Sequence, residues 1–173
     1  MKRRVLVAMG IMWMLVSCAQ NHWIRVNSTD GRFTVLMPGQ PKRLDTRASG
    51  PLGTAPSTSL VSESSGIVIG VTFVDPPRQL AATSSVPEVL DNARDGMLGS
   101  DKELISEKTI VFQRHPGRRL SVSAKDGSTY TEAMLLMVVN RLYVLQVVSE
   151  GRRPDLSLAD RFFQSFRVLH EGP

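Results

Sequence analysis

The sequence predicts an α+β domain: a mostly antiparallel sheet of about seven strands flanked by helices, in an α/β/α layered arrangement. Three observations lead there. Short runs of β-branched and aromatic residues recur with tight turn signals between them. Helical periodicity appears in two segments, one after the middle strand and one at the end. Strands and helices do not alternate as βαβ units, and there is no Gly-x-Gly-x-x-Gly, which argues against a doubly wound nucleotide-binding fold.

Taken in order, Trp23–Val26 reads as a first strand. Asp30-Gly31 supplies a two-residue hairpin turn, and Arg32–Met37 returns before Pro38-Gly39-Gln40-Pro41 stops it. The Ser-, Thr-, Gly- and Pro-rich stretch that follows predicts a loop from Ala48 to Pro56 and a polar edge strand over Ser57–Glu63. Ile67–Val74 is apolar at successive positions, which predicts a strand covered on both faces. Ser85-x-x-Glu88 is a capping box with Pro87 in the first turn. Val86, Val89, Leu90, Ala93 and Met97 then share one face, and Gly99 stops the helix. A meander follows: Glu103–Phe112, a turn at His115-Pro116-Gly117, Arg119–Lys125, a turn at Asp126-Gly127, and Thr129–Val139. Asn140-Arg141 turns the chain into Leu142–Val148. Pro154-Asp155 opens a last helix with Leu156, Ala159, Phe163 and Phe166 on one stripe and Leu158 and Phe162 beside it.

Before all of this stands a basic patch, Lys2-Arg3-Arg4, and an apolar run from Val5 to Val16. That run of about 12 residues is short for a membrane span, which needs ~20. Basic start, short apolar core and small residues before a cut site predict a secretory signal peptide over residues 1–17. The single cysteine of the chain lies directly at the cut. Leu15-Val16-Ser17-Cys18 resembles the lipobox of bacterial lipoproteins. The resemblance implies that signal peptidase recognises Leu15, Val16 and Ser17, and that Cys18 carries palmitate-type acyl chains. One chain holds a protein to a membrane only marginally, whereas two or three hold it stably. Ala19 follows the cysteine, where an Asp would favour retention at the inner membrane, so the outer membrane is the expected address in a Gram-negative envelope. Residues 18–22 form a short tether, and residues 23–170 a single domain.

Removing the signal takes away three basic residues and lowers the formal net charge from +5 to +2. So small an excess does not point to nucleic acid. With Cys18 lipidated, no thiol remains for a disulfide, a zinc–thiolate site or a nucleophile. His22, His115 and His170 are scattered, and the spacings of common metal sites and of the Gly-x-Ser-x-Gly elbow are absent. Neither catalysis nor a cofactor is expected. Asp91 and Asp95 share a helix face beside Arg94, which reads as a solvated surface. The basic cluster Arg114-His115-Pro116-Gly117-Arg118-Arg119 makes Arg114, Arg118 and Arg119 the candidate contacts to an anion or an acidic partner.

The order of several local motifs is itself informative. Phe33-Thr34-Val35-Leu36-Met37-Pro38-Gly39-Gln40-Pro41, Pro116-Gly117-Arg118, the hairpin Asn140–Leu145 and the closing Phe162-Phe163-Gln164-Ser165-Phe166-Arg167 resemble small exported bacterial proteins with the PsbP-like fold. That resemblance implies an antiparallel sheet with helices and a binding or assembly role; it places no functional residue on this chain. The expectation is therefore a membrane-anchored envelope lipoprotein acting as a binding or assembly module with an envelope protein partner. A small-ligand or lipid carrier, using a cleft between sheet and helix, is the alternative.

Overall fold

A computed structural model describes residues 22–50, 53–77 and 84–169. The predicted signal peptide, the lipobox through Cys18, and His170 lie outside the described residues. Among the described residues, ten strands form two antiparallel sheets. The smaller contains β1 (Trp23–Ser28), β2 (Phe33–Pro38) and β10 (Arg167–Val168), in the order β1-β2-β10. The larger contains β3 (Lys42–Gly50), β4 (Gly53–Ser64), β5 (Ile67–Val74), β6 (Lys102–Phe112), β7 (His115–Ala124), β8 (Thr129–Val138) and β9 (Arg141–Glu150). Its order is β3-β4-β5-β9-β8-β7-β6.

This overturns the α/β/α expectation. The described helices are α1 (Val86–Leu98) and α2 (Leu156–Ser165), of 13 and 10 residues. Seven strands at ~4.8 Å spacing span roughly 29 Å, whereas a helix is only ~10 Å across. One short helix per face cannot form a layer. The molecule is mostly β, with the small sheet as its principal second layer.

Two strands escaped the sequence reading. In β3, KRLDTRASG, no apolar residue alternates to mark a buried face, and all of residues 42–48 are exposed. Within the predicted loop at 48–56, residues 48–50 and 53–56 instead continue the β3–β4 ladder, and β4 is an interior strand between β3 and β5. Pro56 is tolerated there because the pairing of β4 with β5 begins at Ser57–Val74, so position 56 has a partner strand on one side only. β10 is just two residues long, paired to Phe33 and Thr34, and carries no periodic signal.

The turns also shift. Ser28 pairs with Phe33, so the first hairpin has a four-residue loop, with Arg32 at φ +55°. Gly31 fits there because a Cβ would lie 2.5 Å from the Phe33 ring and from Ser28 Oγ. The expected turn at His115-Pro116-Gly117 is the start of β7, and Gln113 (φ +50°) and Arg114 (φ +69°) make the turn. Val138 pairs with Arg141, which makes Val139-Asn140 the turn and places Val139 at φ +54°.

Other features follow the sequence closely. Ser85 Oγ accepts from Glu88 N at 3.4 Å, and Ser85 N donates to Glu88 Oε2 at 2.6 Å, closing the capping box. Gly99 ends α1 at φ +55°. Asp155 caps α2 by accepting from Ser157 N at 2.9 Å. Ala159, Phe162, Phe163 and Phe166 are buried, whereas Leu156 is half exposed.

Period-2 alternation divides the core in two. Phe33, Val35 and Met37 of β2 meet Ile69, Val71 and Phe73 of β5, Tyr143 and Leu145 of β9, and the phenylalanines of α2. On the opposite face of the large sheet, Val89 and Leu90 of α1 cover Leu120, Val122, Ala133, Leu135 and Met137. The strand buried on both faces is thus β8, continuously so from Thr131 to Met137. In β5, by contrast, Val68, Thr72 and Val74 are only half-buried.

Two substitutions test the backbone account. A Cβ at Gly117 would lie 2.3 Å from Leu135 O and 2.7 Å from Leu136 Cδ2. Gly117→Ala is expected to cost about 1–3 kcal/mol in denaturant unfolding. Val139→Gly removes a β-branched side chain from a left-handed position and should add ~1 kcal/mol, read as a Tm increase of roughly 2–4 °C. A neutral Gly117→Ala would refute the close approach of β7 to β8.

Candidate functional site

One end of the sandwich gathers the polar residues best placed to meet another molecule, and Asp30 in the β1–β2 loop is its pivot. The Asp30 carboxylate accepts from Gly31 N at 2.9 Å and Ser28 Oγ at 2.8 Å, and it pairs with Arg43 of β3. Arg43 also donates to Asp45 at 3.0 Å, and Thr58 Oγ1 donates to the same carboxylate at 2.7 Å. The Asp30 carbonyl accepts from Arg141 at 2.6 Å, and Arg141 holds Asp75 through two 2.6 Å bonds. The Arg141 guanidinium stands over the Phe73 ring, 5.1 Å from its centroid. Beneath it, Tyr143 Oη donates to Gly31 O at 2.7 Å. Burial raises the pKa of the Tyr143 phenol, so it is a donor at neutral pH.

Between this loop and β3 lies an open groove of about 430 Å³, lined by Asn27, Ser28, Asp30, Gln40, Arg43 and Leu60 among others. Its lining is mixed, with Val26, Pro41 and Leu60 beside the polar groups. Among the described residues, no group of three or more His, Cys, Asp or Glu side chains is arranged to hold a metal ion, and no helix is long and apolar enough to cross a membrane.

The predicted basic cluster does not form a patch. Arg118 and Arg119 are neighbours in β7 and so point to opposite faces. Arg118 donates to Asp91 of α1 and to Thr109, both at 2.7 Å, and pairs with Glu107 at 3.3 Å. Arg119 pairs with Asp160 of α2 at 3.0 Å and lies 4.3 Å from the centroid of the Phe163 ring. Both arginines tie a helix to the sheet. Arg114 alone is exposed, at the β6–β7 tip. On the acidic face of α1, Asp91 and Asp95 keep much of their side-chain exposure, and Arg94 bridges them to each other and to Glu107. The sequence reading gave Asp30 and Arg141 only turn roles and did not single out Arg43, Asp45 or Asp75 as site residues. An available signal was Arg43-x-Asp45, an ion-pair spacing for one strand face, but it goes unnoticed when that segment is not read as a strand.

Gln113 is a second omission. Its side-chain Nε2 donates to Phe166 O at 2.6 Å, and its Oε1 accepts from Val168 N at 3.3 Å. This fastens the β6–β7 tip to β10. Leu169 N donates to Arg32 O at 2.8 Å, joining β10 to the β1–β2 loop.

Compared with solved structures, the chain is similar to the cyanobacterial PsbP protein (CyanoP) of Synechocystis sp. PCC 6803, with a TM-score of 0.58 at 14% identity over 94% of this chain and 98% of that one. The fold is PsbP-like. A protein of unknown function from Pseudomonas aeruginosa aligns with a TM-score of 0.32 at 16% identity, over 75% of this chain and 83% of that chain. No protein-family model matches the sequence, and no curated protein matches it.

The Asp30 network makes a pH prediction. The Arg43 hydrogen bond is the main reason that the Asp30 carboxyl falls to about 2 from its ordinary 3.8. A depressed carboxyl contributes stability above its unfolded pKa and loses it as pH falls through the folded value. Between about pH 4 and 2, wild type should therefore lose stability faster than Asp30→Asn in acid unfolding followed by circular dichroism. Parallel curves would contradict the pairing.

Proposed function

We propose that this chain is an envelope lipoprotein, anchored through Cys18, whose PsbP-like domain is a binding or assembly module for an envelope protein. The observation that carries this reading is Leu15-Val16-Ser17-Cys18, with the chain's only cysteine, closing a basic-then-apolar segment. β1 begins at Trp23, so the five residues from the anchor reach ~17 Å at most and the domain stays close to the bilayer. Six-residue β1 then runs ~20 Å to the Asp30 loop, which is the end of that strand away from the anchor. The end of the domain away from the start of β1 offers Asp30, Asp75 and Arg43, fixed by ion pairs, and the exposed Arg114 tip joined to them through β10. Held in one geometry, such groups favour specificity over affinity. Anchoring adds affinity by confining the module near a membrane partner. The outer membrane is the expected location, since Ala19 follows the cysteine.

The groove of about 430 Å³ beside Asp30 favours a second reading, a carrier of a small polar ligand. The space between α1 and the sheet is filled by side chains, which does not favour the cleft between helix and sheet that a lipid carrier would use.

Cys18→Ala is expected to abolish lipid labelling and membrane retention while the thermal transition of the domain is unchanged. In intact cells, crosslinking of a tagged wild type should recover one dominant envelope protein that the Cys18→Ala form does not recover. Equal recovery by both forms would contradict the anchored-assembly reading. A ligand retained in native mass spectrometry, with no protein partner, would favour the carrier.

A further inference from the structure

We propose that β3 is a self-complementary edge that pairs antiparallel with β3 of a second copy of this chain, about a two-fold axis at Leu44. β3 is the last strand in the order of the large sheet, and among the described residues it pairs with β4 alone. Its register with β4 is unbroken from Lys42 to Gly50. Residues 42–48 are all exposed, including Leu44 at 50%. Such an edge presents a row of main-chain donors and acceptors ready for another strand. The opposite edge differs: the register of β6 shifts between Leu104 and Ser106, and a bulge of that kind interrupts a ladder.

The side chains select the occupant. A two-fold axis perpendicular to the sheet pairs residues of equal parity, so an axis at Leu44 places Leu44 opposite Leu44 of the other copy. Arg43 then faces Asp45 of the other copy, and Asp45 faces its Arg43. On one face the exposed leucine side chains meet and lose water. On the other, two ion pairs of opposite sense close symmetrically. Directly opposed residues have Cβ atoms ~5 Å apart, within reach of both contacts. Arg43 and Asp45 already lie on one face, since they bond each other within the strand at 3.0 Å. Asp30 fixes the guanidinium from behind, so the pair is oriented before association. A strand with the charges reversed in order or with a charge opposite Leu44 is disfavoured, and a neutral strand forgoes both ion pairs, which favours an identical chain. Five paired residues a side, 42–46, form an interface at the small end of the range, so a dimer in the micromolar range or weaker is expected in solution. The symmetry is isologous and closed: it yields a two-fold dimer with a fourteen-stranded sheet, not a fibre.

This proposal is independent of the anchor and is tested without it. In the full chain carrying Cys18→Ser, an introduced thiol is the only one. Leu44→Cys, purified in detergent and mildly oxidised, should form disulfide dimers at least ten-fold faster than Val111→Cys, whose position on the other edge is 77% exposed. Adding Asp45→Arg sets two guanidinium groups opposite each other and should bring the rate down to that of Val111→Cys. Equal rates for the two thiol positions would overturn the proposal. So would a Leu44→Cys dimer that is indifferent to Asp45→Arg. Capture of the thiol at position 44 by a different protein in intact cells, in place of a second copy, would also overturn it.

Discussion

The ring of Phe33 is the contact on which the two-sheet arrangement depends. It lies 5.3 Å from the Phe166 ring, 6.0 Å from Tyr143 and 6.2 Å from Phe73. These residues come from β2, the end of α2, β9 and β5. The small and large sheets are separate ladders, so main-chain pairing does not join them. Side chains must, and the magnitudes show which. Truncating one buried phenylalanine costs ~3–5 kcal/mol. A neutral hydrogen bond contributes ~1 kcal/mol net, and an exposed ion pair ~0–1 kcal/mol. The bonds from Tyr143 to Gly31 and from Ser62 to Pro38 therefore orient a layer whose attachment is apolar.

That attachment also explains the polar end above it. Asp30, Gly31 and Arg32 form a loop directly over the aromatic cluster, and the loop reaches β9 through Tyr143 and Arg141. Four residues other than glycine take left-handed backbone at the joined loops: Arg32, Gln113, Arg114 and Val139. Backbone strain of this kind persists where surrounding contacts over-determine it. Here Leu169 fixes the Arg32 carbonyl, and the Gln113 amide grips Phe166 and Val168 on either side of Arg167. The ion pairs of this end supply direction more than stability.

Much of the chain was readable locally. The capping box at Ser85, the stop at Gly99, and the alternation of Phe33, Val35 and Met37 are signals that act within a few residues, and each does what its chemistry predicts. The global reading failed where meaning depends on distant partners. β3 is polar because it is an edge, so it lacks the apolar marks by which strands are recognised. With residues 42–47 given no strand and 48–56 read as a loop, Arg43 and Asp45 could not be placed on one face, and the polar end stayed invisible. Arg118 and Arg119 looked like a patch only while His115-Pro116-Gly117 was taken as a turn; in a strand their side chains part. The layered α+β expectation gave two short helices more surface than they can cover.

The claim that the small sheet is held by the aromatic cluster is best tested by amide hydrogen exchange on wild type and Phe33→Leu. The account predicts that β1, β2, β10 and α2 lose protection together, while β7 beneath α1 keeps its own, because Leu120 and Val122 belong to the other core. A uniform loss over both sheets, or no loss in the small sheet, would contradict it.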